Sequence, residues 1–291
     1  MANEVCKYNN DFNTVSMRNW TTEEMNFLMV VLAKLKNQGN KTIRIQKNEL
    51  VELANYSERN NKKLYNIMDK LSDHVTNLKF TDRTKGIKKM VLFQTFEWTW
   101  DEDPNNYYVE VKVNDDFEYI LNYFELNFNF TSFGLEEFVN LKSSYSKQMY
   151  RLLKQWKKQG NKEFKIEEFR ELLAIPKSYS KDAINQRVLK PIQKELGKCF
   201  DNFKIKPIKK RTKGNPIIAY QFSWTPEKTN TWIEGQPQPN PNKPKNKPKK
   251  QKQIKSVELD EKFFPQAEEK SDEEIHQEML ELQRKLKEGT L

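Results

Sequence analysis

Hydrophobic residues recur at helical spacing in two stretches that are each followed by the same short segment. The stretches lie at 21–35 and 143–156, and the segment Gln-Gly-Asn-Lys follows them at 38–41 and again at 159–162. A threonine or serine precedes each stretch and can cap a helix, and the glycine can end it because it accepts the left-handed conformation. The two copies therefore predict the same joint between a first helix and a first strand.

The elements after this joint also come in the same order twice. In both copies the pattern predicts a short strand, a short helix, a longer amphipathic helix and two strands. The first copy has them at 42–45, 50–54, 64–78, 90–100 and 107–113. The second copy has them at 164–166, 169–173, 184–196, 203–210 and 216–224, with a kink expected at Pro191 of the long helix.

Helix, strand, helix, helix and hairpin is the order of a winged helix, a helix-turn-helix variant whose third helix can enter the major groove of DNA. We predict an α+β fold with two tandem winged-helix domains related by internal duplication. Winged helices also serve in protein–protein contacts, so the order alone does not decide the ligand. The predicted domains are 1–131 and 132–225.

The rest of the chain lacks a core-forming pattern. Residues 226–270 begin rich in proline, asparagine and lysine, which predicts a disordered linker whose lysines either contact phosphates or are simply solvated. Hydrophobic residues return at helical spacing in 271–291, with acids first and bases last, which predicts a short amphipathic tail helix. This helix can dock in a partner groove or remain a marginal tail.

Positive charge is concentrated in one domain. The chain of 291 residues carries a net charge of +10, and residues 132–225 hold 21 Lys and Arg against 9 Asp and Glu. Residues 1–131 hold 17 against 19. A local excess of this kind is typical of a polyanion binder, and the alternative is a solvated lysine-rich surface.

Several classes of protein are disfavoured by what the sequence lacks. There is no apolar run that could span a membrane, no signal peptide, and only Cys6 and Cys199 as cysteines, so we expect a cytoplasmic protein without a membrane partner. There is no GxxxxGK[ST] loop, and His74 and His276 are far apart in sequence. We therefore expect no enzymatic activity, no catalytic residue, no metal, no cofactor and no small-molecule substrate.

The long helix of the second copy carries the strongest candidates for DNA contact. Gln186 and Arg187 face away from its apolar stripe and can each make two hydrogen bonds, to adenine and guanine respectively. Lys190 and Lys194 lie further along, where phosphates are expected. Lys181 and Asn185 lie near the helix start, with Asn185 closer to the apolar side.

Other candidates surround this helix. They are the wing residues Lys209, Lys210, Arg211 and Lys213, the helix-start residues Ser144, Lys147 and Arg151 as a phosphate site, and Lys62, Lys63 and Asn66 on the third helix of the first copy. The aromatic strands of the first copy either fill its core or form a surface for self-association.

Two segments resemble the initiator Rep proteins of theta-replicating plasmids. They read EVCKYNNDFNTVSMRNWTTEEMNFLMVVLAKL and YSKQMYRLLKQWKKQGNKEFKIEEFRELLAIPKSY, the latter followed by RVLKPIQKEL, and the resemblance spans about residues 4–225. Family members often have several arginines just before RVLKP, whereas here only Arg187 matches.

The resemblance implies a C-terminal winged helix that binds direct repeats (iterons) in double-stranded origin DNA, and an N-terminal one that dimerises and adds DNA contact. It implies monomers that open the origin, dimers that repress the initiator's own gene, and recruitment of a host initiator and a helicase or helicase loader. The alternative is a sequence-specific transcriptional repressor with no role in initiation. An origin-nicking enzyme is disfavoured by the separated histidines.

Overall fold

The chain up to residue 113 contains the predicted elements of the first domain. The computed structural model describes residues 4–15, 17, 19–58, 60–76, 78–82, 88–100, 106–115, 118–122, 130–212 and 215–227. The first elements are β1 (Val5–Asn9), α1 (Thr22–Leu35), β2 (Ile43–Gln46), α2 (Lys47–Leu53), α3 (Asn61–Thr76), β3 (Lys79–Asp82), β4 (Lys88–Val91), β5 (Phe93–Trp100) and β6 (Tyr107–Val113). Strands β2, β6 and β5 form an antiparallel sheet in that order, in which β5 and β6 are the wing.

The second domain repeats this arrangement. The remaining elements are α4 (Glu118–Leu121), β7 (Phe130–Gly134), α5 (Leu135–Val139), α6 (Ser144–Lys154), β8 (Asn161–Lys165), α7 (Ile166–Leu172), α8 (Lys181–Ile184), a π-helical turn (Asn185–Leu189), α9 (Lys190–Leu196), β9 (Lys204–Lys209) and β10 (Ile217–Ser223). The sheet order β8–β10–β9 matches β2–β6–β5 position by position. The predicted pair of winged helices is therefore confirmed.

Local signals place the first helix of each domain. Thr21 caps α1 in a capping box, in which its hydroxyl accepts from the Glu24 amide at 3.2 Å and its own amide donates to the Glu24 carboxylate at 2.9 Å. Ser143 caps α6. The glycines of the repeated segment, Gly39 and Gly160, have φ of +63° and +76°. They provide the left-handed turns that the sequence predicts.

The third helix of the second domain, residues 181–196, contains a π-helical turn that its counterpart α3 lacks. Its buried residues are Ile184, Val188, Ile192 and Leu196, a constant spacing of four. An α-helix advances 100° per residue, so three such steps would rotate the apolar stripe by about 120°. The wider π turn, closed by the Lys190 amide on the Asn185 carbonyl, reduces this rotation. The π turn lies just before Pro191, and the kink expected at this proline stays a prediction.

The two domains share structure that the sequence pattern did not indicate. Strand β1 pairs antiparallel with β7, so the beginning of the chain joins the entrance to the second domain. Helix α1 is buried along almost its whole length, and it contacts β1, α2, α3, α5 and α6. Both domains belong to one compact unit, Met1–Glu234.

The predicted tail helix, most of the linker and Lys213 lie outside the described residues. No helix in the described part of the chain is long and apolar enough to cross a membrane.

Candidate nucleic-acid interface

The outward face of the third helix in the second domain is a row of polar and basic side chains. Its apolar stripe packs inward against α6, which fixes the direction of the opposite face. All six candidates on this helix are exposed: Lys181, Asn185, Gln186, Arg187, Lys190 and Lys194. Asn185 was expected nearer the apolar side, but it lies at the start of the π turn and is also exposed.

Lys190 and Gln186 interact along this face. The Lys190 ammonium donates to the Gln186 side-chain oxygen at 2.6 Å. The amide group of Gln186 therefore keeps its two N–H donors available to a ligand, while its oxygen already has a partner. The oxygen keeps a second lone pair, so Gln186 can still make both hydrogen bonds of a contact with adenine.

Tyr179, in the turn before this helix, contacts Arg187. The hydrophobic pattern of the sequence did not single out Tyr179. The guanidinium carbon of Arg187 lies 5.3 Å from the centre of the Tyr179 ring. Contact with Arg187 lowers the pKa of the Tyr179 hydroxyl, and the neighbouring Tyr145 hydroxyl lowers it further. The sequence does contain a signal for this contact, namely an aromatic residue in the turn ahead of a basic helix.

The wing of the second domain carries a second set of cations. Lys209, Lys210 and Arg211 are exposed at the end of the β9–β10 hairpin. Lys204 and Lys206 are also exposed on β9, an edge strand that additionally carries Pro207. Lysines and a proline discourage this edge from pairing with another strand, and the same lysines can contact phosphates.

The predicted phosphate site at the start of α6 is wrong. Lys147 is fully buried, and its ammonium donates to the Asn26 side-chain oxygen and the Phe138 carbonyl, both at 2.6 Å. The backbone amides of Lys142 and Ser143, ahead of the helix, donate to the Glu195 carboxylate at 3.0 and 3.3 Å. An acidic side chain of the same domain already satisfies these donors, although Ser144 itself is half-buried.

Arg151 is likewise part of the core and not of a surface. It is 1% exposed, and its guanidinium donates to the Phe12 carbonyl at 2.7 Å, the Tyr8 hydroxyl at 3.2 Å and the Gln148 side-chain oxygen at 3.1 Å. Tyr8 and Phe12 belong to the segment around β1. Arg151 thus holds the beginning of the chain against the second domain.

Lys154, one turn further along α6, is also buried. Its ammonium lies 3.2 Å from the Glu137 carboxylate and 2.8 Å from that of Glu227. Burial opposes the charge of Lys154, but the two carboxylates raise its pKa above the usual value. Three cations of α6 are therefore buried. The positive charge that the second domain exposes to solvent is smaller than its count of Lys and Arg indicates.

The corresponding helix of the first domain is a weaker candidate. Lys62, Lys63 and Asn66 are exposed on α3 as predicted. Lys63 is paired with Glu58 at 2.7 Å, and exposed Asp69 and Asp73 lie on the same helix. The aromatic residues of the neighbouring sheet are core or partly buried: Phe93 is buried, while Phe96 and Trp98 are half-buried on edge strand β5.

Comparison with known proteins agrees with this architecture. The model of the family described as "Initiator Replication protein, WH1" matches residues 5–154, and that described as "Initiator Rep protein, WH2" matches residues 165–224. The first match includes α6, which the internal repeat assigns to the second domain. The boundary at 131 and 132 stays a prediction.

Individual relatives are consistent with the family models. The chain is 33% identical over 201 residues to the "Probable replication protein rep" of Bifidobacterium longum (strain NCC 2705), an alignment that covers 68% of this chain and 66% of the relative. Among solved structures, the Pi initiator protein in complex with iteron DNA aligns with a TM-score of 0.59 at 14% identity, over 79% of this chain and all of that one. That second likeness concerns the fold. By its two matched domains, the chain belongs to the initiator Rep protein family.

Proposed function

We propose that this protein is a plasmid replication initiator that binds direct repeats in double-stranded origin DNA through its second winged helix. The observation that carries the proposal is the exposed row on the third helix, in which lysines flank Gln186 and Arg187. The exposed cations of the wing in the same domain add to it. Membership of the initiator Rep family supports the proposal. The solved structure of the Pi initiator, which is similar in fold, contains that protein bound to iteron DNA.

In this proposal the two parts of the interface have different tasks. Arg187 and Gln186 read base edges in the major groove, because their side chains can form specific hydrogen bonds there. Lys190, Lys194 and the wing cations neutralise phosphates, which adds affinity without base preference. The protein acts by binding and not by catalysis, so it needs neither a metal nor a cofactor.

We further propose that the first domain mediates dimerisation and adds auxiliary DNA contacts. Strand β5 is an edge strand, and the indole N–H of Trp98 is buried there without a hydrogen-bond partner among the described residues. Edge strands can pair with a second chain. In this proposal monomers help to open the origin and recruit the host initiator and the helicase or its loader, whereas dimers repress the initiator's own gene.

The direct test is a gel shift and footprint on the DNA that flanks the gene, at several salt concentrations. We expect regularly spaced protection over tandem direct repeats beside an A·T-rich stretch, with affinity falling steeply as salt rises. Two results together would instead indicate a repressor. The protein would protect a single inverted repeat, and it would fail to support replication of a plasmid that carries the flanking DNA. Metal-dependent nicking of supercoiled plasmid would contradict the non-catalytic proposal.

A further inference from the structure

An arginine on the preceding helix holds the turn before the third helix of the second domain. Arg170, on α7, donates to the Pro176 carbonyl at 3.2 Å and to the Tyr179 carbonyl at 2.9 Å. The Tyr179 amide also donates to the Pro176 carbonyl at 3.0 Å, which closes the turn. A guanidinium that spans two carbonyls holds both ends of this turn, because its donors have a fixed planar geometry.

Tyr179 connects this pinned turn to the recognition surface. Its ring lies 5.3 Å from the Arg187 guanidinium carbon, and its hydroxyl interacts with the hydroxyl of Tyr145 on α6. Burial and the neighbouring Tyr179 raise the pKa of Tyr145, while contact with Arg187 lowers that of Tyr179.

Arg187 needs such support because of where it lies. It is exposed in the middle of the π turn, and an exposed arginine loses considerable rotamer entropy when it must present its fork to one base. An aromatic face restricts the guanidinium before binding.

We infer that Tyr179 is a positioning residue for base reading: held in place by Arg170 and Tyr145, it orients the Arg187 guanidinium toward the major groove. This inference deepens the proposed function and rests on it. It assigns to two side chains, Arg170 and Tyr179, a role in sequence discrimination although neither is expected to touch a base.

A double-mutant cycle tests the inference. The quantity measured is discrimination, the ratio of association constants for the cognate repeat and for a repeat changed at the base pair that Arg187 reads. Tyr179→Leu should lower this ratio about two- to fivefold, the strength of an exposed cation–π contact. In an Arg187→Ala background the same change should have no further effect, because the group to be oriented is gone.

Further variants separate the contributions of the Tyr179 side chain and of Arg170. Tyr179→Phe keeps the ring but removes the hydroxyl that interacts with Arg187 and Tyr145, so its discrimination should fall between the values of the wild type and Tyr179→Leu. Arg170→Lys should lose part of it, since an ammonium cannot span both carbonyls in the same geometry. Tyr119→Leu is the matched control, because Tyr119 is a partly exposed tyrosine on α4, away from this helix. Thermal melts of all variants verify that they are folded.

Three outcomes would overturn the inference. One is an unchanged discrimination ratio in Tyr179→Leu, and another is an equal fall in both backgrounds. The third is a fall accompanied by a loss of about 0.9 from the salt slope, the slope of the logarithm of the association constant against the logarithm of the salt concentration. Tyr179 carries no charge, so this result would mean that Tyr179 places Arg187 on a phosphate and not on a base.

A readout without DNA keeps this test separate from the proposed function. The ionisation of Tyr179 is obtained as the difference in ultraviolet absorbance titration between the wild type and Tyr179→Phe. Arg187→Ala should move this ionisation to higher pH, since the contact that lowers the pKa is removed. If the wild type binds no direct repeat, the proposed function is wrong. If Arg187→Ala leaves the Tyr179 ionisation unchanged, the contact between Tyr179 and Arg187 is wrong, whatever the result with DNA.

Discussion

The ammonium of Lys147 lies 2.6 Å from the side-chain oxygen of Asn26, and the two residues belong to different winged helices. Asn26 also donates to the carbonyls of Ala54 and Val139, so it joins α1, α2 and the segment before α6. Both residues are buried. A lysine in such a place is costly unless its donors are satisfied, which ties the stability of the chain to the joint between its domains.

Lys147 should make stability depend on pH. Burial lowers its pKa from 10.5 to about 7, opposed in part by Glu195. Between these values the unfolded chain binds more protons than the folded one, so the contribution of Lys147 to the free energy of unfolding rises with pH from about 7 to 10.5 and is flat below. The total change is at most about 5 kcal/mol.

Lys147→Met should remove this rise. Chemical denaturation of the wild type and the variant from pH 6 to 10 is the measurement, and Lys177→Met, at an exposed lysine, is the control. A wild-type slope that persists in Lys147→Met would contradict the assignment.

Arg151→Met should destabilise the protein strongly without altering its electrostatic binding to DNA. The substitution removes the guanidinium that donates to the Phe12 carbonyl and the Tyr8 hydroxyl. A hydrogen bond from a charged donor contributes about 1.5–3 kcal/mol, and this substitution removes more than one of them. Thermal melting should show the loss, while the salt slope of DNA binding, measured where the variant is still folded, should stay that of the wild type. A reduced slope would place Arg151 in the interface after all.

Arg211→Ala should behave in the opposite way. Arg211 is exposed on the wing, so its removal should change the free energy of unfolding by less than about 0.5 kcal/mol. It should weaken binding to every DNA sequence alike and lower the salt slope by about 0.9. Titrations of cognate and scrambled DNA at several salt concentrations measure both quantities. A selective loss on cognate DNA would mean that Arg211 reads bases.

Arg187→Ala should abolish discrimination at one base pair. A two-point contact with guanine is worth about 1–3 kcal/mol against the wrong base, and Arg187 is the one arginine on the exposed face of this helix. Binding to single-base variants of the repeat is the measurement, with Lys194→Ala as a control that lowers affinity without changing preference. An unchanged footprint and unchanged preference in Arg187→Ala would rule out the assignment.

Truncation should be tolerated after residue 234 but not after Thr225. Glu227 pairs with Lys154 at 2.8 Å and Lys157 at 3.5 Å, and its amide donates to the Lys157 carbonyl at 3.0 Å. A chain ending at Thr225 loses these contacts and leaves Lys154 with Glu137 alone, so we expect a lower melting temperature. The chain ending at 234 should melt as the wild type does, and it is therefore the form in which a role of the tail in replication can be tested. Equal melting temperatures would show that the Glu227 contacts add nothing.

Local sequence determined the repeated architecture of this protein. Capping at Thr21 and Ser143, the glycines at 39 and 160, and the spacing of apolar residues act within a few residues, so the pattern alone predicts the helices and wings in order. The exposed candidates on the third helix were predictable for the same reason. Once the apolar stripe of a helix is known, the opposite face follows.

Only the tertiary structure decided which cations face solvent. Lys147 and Arg151 look like surface residues at a helix start, but their acceptors, Asn26 and Phe12, lie more than a hundred residues away in the chain. The β1–β7 pairing that brings these segments together leaves no periodic signal in such short strands. Burial depends on what packs against a helix from elsewhere in the chain, and a local pattern of charge and hydrophobicity does not carry that information.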